Sequence, residues 1–288
     1  MSSGGTAPKL AGVLLRSDDD GPAVAEKRLP DLTAACPCEL EALSDLVDDL
    51  TAEHAALLRL LEGLAPADWK APSSCQGWTV SDCVAHLAHT SEVAADTCLG
   101  GPLAFRSVVP AFRDADAFVQ SGLDRGRDLA PTELLAWWAN AARRERQAIG
   151  RQPPNTKVRW GFGMSAEMFA RARLMEAWAH GHDVASGVGA ETTDGWRLRH
   201  ICSLAVHSLR YAYRRARQTP LDGELRVVVS APDGRQWQHG PAGAAGQITG
   251  SLAELARVAV RRLPAHQART IRAEGTGCHA VLVICAYL

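Results

Sequence analysis

The 288-residue sequence contains no run of about 18 apolar residues, so it offers no helix able to span a bilayer. It also lacks a basic excess. Lys and Arg number 31 against 32 Asp and Glu, for a net charge of -1. With no surplus of cations to neutralise phosphates, nucleic acid is not an expected partner. The opening MSSGGTAPKL has neither the basic start nor the apolar stretch of a secretory signal. No C-x-x-C is present, and apart from Cys36 and Cys38 the cysteines (Cys75, Cys83, Cys98, Cys202, Cys278 and Cys285) stand singly in the chain. That pattern argues against a zinc ribbon or redox pair and reads as reduced thiols in a cytoplasmic protein. There is no Gly-rich phosphate loop and no serine nucleophile elbow. Aromatics are sparse, with five Phe and three Tyr, except for eight Trp.

What is present is ordinary globular material: 47% hydrophobic and 22% charged residues, rich in Ala, Leu and Arg, a bias toward helix. Residues 1–38, with Gly, Ser, Pro and the run Asp18-Asp19-Asp20, read as a flexible leader. From about Glu39 to Leu64, leucines at three- and four-residue steps predict a first long helix. Thr79 or Ser81 caps a second, running to about Leu99, and Asp82 suits its first turn. A Pro- and Gly-containing connector covers 100–130. A third helix follows from Pro131 to before Pro153, a fourth from Ser165 to about Gly187 and a fifth from Asp194 to about Arg217. These make an up-down helical bundle over 39–219.

The pattern changes after Pro220. Leu225 to Val229 is rich in β-branched residues, Pro232-Asp233-Gly234 signals a turn, and Arg235 to His239 returns as a hairpin strand. Residues 246–250 and 270–273 add strands, Leu252 to Leu263 forms an amphipathic helix, and a last helix starts near Cys278. The stretch 220–288 is therefore expected to be a small α+β domain.

The most informative spacing lies in the fourth helix. Glu176 and His180 are four residues apart and project from one face as a two-ligand clamp. His182 sits about 200° round the helix from His180, outside the clamp unless Gly181 loosens the backbone. A third ligand must come from another element. The second helix offers His86, on a stripe with Cys83, Thr90 and Val93, and His89 one turn further on; either can point into a bundle. Two imidazoles and a carboxylate suit zinc, nickel, iron or cobalt, and three protein ligands leave a position open for catalysis. A Glu–His pair at this spacing is more often a plain hydrogen-bonded pair.

Two stretches add weight in combination: Gly77-Trp78-Thr79-Val80-Ser81-Asp82-Cys83-Val84-Ala85-His86-Leu87, and downstream Glu176-Ala177-Trp178-Ala179-His180-Gly181-His182-Asp183. Together they resemble the mycothiol-dependent maleylpyruvate isomerase family of the DinB-like metal-binding bundle superfamily, and residues 230–240 resemble the α+β module of an actinobacterial subfamily. The resemblance implies a mainly α fold, a DinB-like four-helix bundle followed by a small α+β domain. It further implies that His86, Glu176 and His180 hold the metal, most readily Zn2+ with Ni2+ or Fe2+ as alternatives, and that Asp183 supports the ligands from behind. The implied activity is isomerase or thiol S-transferase chemistry on a small electrophile, with mycothiol as cosubstrate. Two rivals stand beside it: a tailoring enzyme using the metal as a Lewis acid without a thiol, and a non-catalytic metal- or ligand-binding protein.

His89 and His182 depart from the family pattern and are candidate catalytic acids or bases near neutral pH. Arg261-Arg262 is a weaker candidate for an anionic substrate, a solvated basic face being the simpler reading. Trp137-Trp138, His54, His200 and His207 read as packing or hydrogen-bonded residues. The expected partner is a small molecule, and a homodimer is compatible with an apolar outer bundle face.

Overall fold

The computed structural model describes residues 43–153, 156–161, 163–192 and 194–287. The expected leader 1–38, with Cys36 and Cys38, lies outside the described residues. The protein is mainly helical, with its larger sheet confined to the C-terminal part. It divides into two compact units, Val47–Thr193 and Asp194–Tyr287.

The first unit opens with α1 (Leu43–Glu62), from Val47 onward, and α2 (Val80–Leu99). The chain then forms short α3 (Phe105–Val108), α4 (Ala115–Arg127) and α5 (Pro131–Gly150). A two-stranded ribbon of β1 (Lys157–Val158) and β2 (Met164–Ser165) leads into α6 (Ala166–Val188). Helix α2 is buried on most of its circumference and packs against α4, α5 and α6. Its start is fixed by a capping box in which Thr79 Oγ1 accepts from the Asp82 backbone N–H and the Asp82 carboxylate accepts from that of Thr79. The cap is thus Thr79, not Ser81. Arg127 of α4 donates to the other Asp82 oxygen at 2.9 Å, tying α4 to that helix start.

The connector expected over 100–130 is in fact largely helical. Helix α4 was concealed by its glycines, which depress helix propensity. Packing explains them. A Cβ on Gly126 would lie 2.2 Å from the Ala85 Cβ, and one on Gly122 would lie 2.7 Å from the His89 side chain. Glycines four residues apart let α4 approach α2 closely, and this tertiary gain outweighs their intrinsic cost.

The second unit holds α7 (Arg199–His207), α8 (Leu209–Arg215), β3 (Leu225–Ser230), β4 (Gln236–His239), β5 (Gly246–Ser251), α9 (Leu252–Ala259), β6 (Arg272–Gly275) and α10 (Gly277–Val283). The sheet order is β4-β3-β5-β6, with β3 and β5 parallel and the outer pairs antiparallel. Leu225, Val227 and Val229 are the buried side of β3, as the period-2 pattern requires. The expected hairpin forms around Gly234, whose φ of 85° suits the turn. The expected fifth helix is interrupted at Ser208, and both of its parts fall in the unit with the sheet. That unit starts at Asp194, whereas the sequence pattern put the change of character near residue 220.

Candidate metal centre

Helices α2 and α6 bring His86, Glu176 and His180 together, so that one ligand atom from each lies within 4.8 Å of the others. Oε2 of Glu176 is 3.4 Å from His86 Nε2 and 3.6 Å from His180 Nε2. Donor atoms about 2.0–2.2 Å from a tetrahedral cation lie about 3.3–3.6 Å from one another, so both spacings fit a shared divalent ion. Both imidazoles are buried and Glu176 is partly buried.

The protonation states suit ligation. Burial pulls the His86 imidazole below its ordinary range, outweighing the Glu176 hydrogen bond that raises it. Burial by itself would raise Glu176, but its hydrogen bond to His86 and the electrostatic influence of His180, His86 and Arg173 bring it down to about 2. At neutral pH the set therefore offers an ionised carboxylate and a His86 lone pair.

The His180 ring is oriented from behind. Its Nδ1 lies 3.1 Å from Oδ2 of the buried Asp183; because a carboxylate only accepts, this contact favours, in the neutral ring, the tautomer with its proton on Nδ1 and its lone pair on Nε2, toward Glu176. Asp183 is itself held by the hydroxyl of Ser74, which donates to Oδ1 at 2.8 Å. His86 Nδ1 is buried with no hydrogen-bond partner among the described residues. Replacing Asp183 by Asn is expected to lower metal affinity about 10- to 100-fold while sparing the fold, because a neutral amide no longer makes the charge-assisted bond to Nδ1. A competition titration with a chromophoric chelator reads this, and unchanged affinity would rule out the orienting role.

Trp78 covers the cluster, a part the sequence reading did not assign. Its ring stacks on His180 at 5.5 Å with an 18° interplanar angle and lies 5.2 Å from His86. The available signal was position: Trp78 immediately precedes the Thr79 cap of the helix bearing His86, so the cap fixes it near that ring.

The other proposed site residues do not join the cluster. His89 turns toward α4, against Phe118 at 4.6 Å, and burial, then the charges of His86 and Arg125, lower it to about 4. His182 continues on the helix, away from the clamp, with its ring 5.8 Å from Trp178 and Nδ1 3.4 Å from Ser186 Oγ. Gly181 does not break α6. Arg261 and Arg262 donate to the backbone carbonyls of Cys285 and Val260. Trp137 and Trp138 are buried packing residues.

Fold and site define a helical-bundle protein with an inward-facing cluster of two histidines and one glutamate. The family model described as the mycothiol maleylpyruvate isomerase N-terminal domain matches residues 50–185. Two uncharacterized proteins of Mycobacterium tuberculosis, from strains CDC 1551 and H37Rv, are each 34% identical over 218 residues, covering 75% of this chain and 84% of the relative. Crystal structures of the mycothiol-dependent maleylpyruvate isomerase and of a histidine-to-alanine mutant of it superpose with a TM-score of 0.56 at 18% identity. Each match covers 82% of this chain and 94% of the other. The chain belongs to the mycothiol maleylpyruvate isomerase family. At 18% identity the solved structures speak for the shared fold. Among the described residues no helix is long and apolar enough to cross a membrane.

Proposed function

We propose that this protein is a metal-dependent, thiol-assisted isomerase of a small electrophilic metabolite, with His86, Glu176 and His180 as the metal ligands and mycothiol as the thiol. The observation that carries this reading is the pair of 3.4 and 3.6 Å spacings from Glu176 to the two imidazoles, in a chain whose family is named for that reaction. A divalent cation held by these residues would supply Lewis acidity that favours the thiolate form of a thiol at neutral pH, the nucleophile that adding to and leaving an electron-poor double bond requires.

The chain's own residues supply the rest. Three protein ligands leave room for an exogenous donor, as catalytic sites do and closed structural sites do not. Asp183 holds the His180 tautomer, and Trp78 walls the two rings on one side, limiting water and keeping the imidazoles from rotating. His89 and His182 are assigned no chemical step, since their rings pack against Phe118 and Trp178 and neither joins the cluster.

The test is turnover of maleylpyruvate by zinc-loaded protein with mycothiol, with glutathione and with no thiol. Activity should require a thiol and fall to background after chelation. Turnover indifferent to thiol would favour the purely Lewis-acid reading. A loaded protein that binds ligands without turning any over would favour the non-catalytic one.

A further inference from the structure

The turn that delivers Trp78 also delivers a thiol beside the His180 ring. Cys75, His180 and Asp183 are all buried, and their ligand atoms lie within 4.8 Å of one another. The turn is stitched to α6 at this level. Ser74 donates its backbone N–H to the Asp183 carbonyl at 3.3 Å and its hydroxyl to the Asp183 side chain, while Pro72 backbone passes so close to Gly187 that a Cβ there would lie 2.7 Å from its oxygen. Trp78 N–H closes the turn on the Cys75 carbonyl at 3.0 Å. Cys75 is thus held in place beneath exposed Ser74, Gln76 and Gly77, so a small ion needs only local motion of one turn to reach it.

We propose that Cys75, Asp183 and His180 Nδ1 form a second cation site, selective for thiophilic ions such as Cd2+, and that its occupation is exclusive with occupation of the His86–Glu176–His180 site. The sulfur gives the preference, because thiolates select soft cations over the oxygen- and nitrogen-seeking ones. Exclusivity follows from the imidazole. A neutral ring has one lone pair. When the cation takes Nδ1, the ring proton moves from Nδ1 to Nε2, the thiol proton is released to solvent, and Nε2 becomes a donor that can no longer ligate beside Glu176. A thiophilic ion therefore inhibits by switching a tautomer rather than by filling the first site. The exclusivity rests on the ligand set proposed above; the second site itself does not.

The experiment uses the full-length protein, loaded with Co2+ and titrated with Cd2+. A cadmium–thiolate charge-transfer band should grow as one cobalt is released per cadmium bound. Cys75→Ser and Cys75→Ala should keep cobalt binding and lose that band, and His86→Ala should lose cobalt yet keep the band. X-ray absorption at the cadmium edge of the wild type should read one sulfur neighbour, which needs no variant to fold. No sulfur neighbour, or a band that survives loss of Cys75, overturns the site. Cadmium–thiolate formation with cobalt fully retained overturns the exclusivity. Failure of cobalt to bind at all would instead count against the proposed function, and the wild-type and Cys75 cadmium spectra would still decide the second site.

Discussion

Replacing any one of His86, Glu176 or His180 by alanine is expected to remove the metal and lower turnover by on the order of 10³-fold or more. The figure follows from the several kcal/mol of charge stabilisation a catalytic cation contributes, at about 1.4 kcal/mol per tenfold. Loss of a direct ligand should exceed the 10- to 100-fold effect expected for Asp183, which acts through His180. The three effects should not add, since two remaining ligands hold no ion and the second substitution has nothing left to remove. Metal content per protomer by elemental analysis, on protein purified without a metal-affinity tag, is the direct readout. His89→Ala and His182→Ala make the contrast and should retain full occupancy, because their rings lie against Phe118 and Trp178. Full occupancy in all three ligand variants would sink the assignment.

Breaking the buried ion pair between α5 and α6 should produce the largest stability effect. Arg173 donates through Nε to Glu145, which is completely buried, and through Nη2 to Thr90 Oγ1 at 3.1 Å. Ser91 donates to the second Glu145 oxygen at 3.0 Å. The Arg146 guanidinium lies 2.7 Å from His54 Nδ1, and burial first, then the charges of Arg146 and Arg173, keep that imidazole well below its usual range, hence neutral. Arg173→Ala would strand the buried Glu145 carboxylate without its hydrogen-bonded counterion, and Glu145→Ala would strand the guanidinium. Each should cost about 3–5 kcal/mol. At about 2–4 °C per kcal/mol for a chain of this size, the melting temperature should fall by roughly 6–20 °C. The double replacement Glu145→Leu with Arg173→Met should recover most of this, because burying neither charge avoids the desolvation cost. A thermal melt of the three variants checks it. A double variant as unstable as either single one would mean that packing, and not charge, sets the penalty.

The network also borders the His86–Glu176–His180 cluster. Thr90 accepts from Arg173 and donates to the His86 carbonyl at 2.8 Å, and Arg173 is three residues from Glu176 on the same helix. Its sequence signature is modest: Arg173 stands in the apolar stretch of α6, and Glu145 amid the charged face of α5. Nothing local pairs residues 28 apart, which is why this feature escaped the sequence reading.

Much else was legible. The spacing of Glu176 and His180 needs only helical periodicity, and the Thr79–Asp82 box needs only capping chemistry. Both are interactions within a few residues, whose geometry the backbone repeat fixes before any tertiary contact forms. The hairpin at Gly234 belongs to the same group, because its turn depends on a residue tolerant of positive φ. The mainly helical bundle and its α+β sequel followed from the change of hydrophobic period alone.

What tertiary structure decided is which partners meet across elements. Helix periodicity left both His86 and His89 able to face inward; the seating of α4, through Gly122 and Gly126, turned His89 toward Phe118 and left His86 to the cluster. The same close approach made a helix of a segment whose composition read as a connector. Trp78 and Cys75 came to His180 only because the 73–78 turn docks on α6, a contact spanning about 100 residues of sequence. The sequence by itself determined the chemical types of the candidate site residues and their local spacing, since those depend on short-range geometry. The assembled site depended on packing between helices, whose free energy is spread over buried surfaces that no single motif encodes.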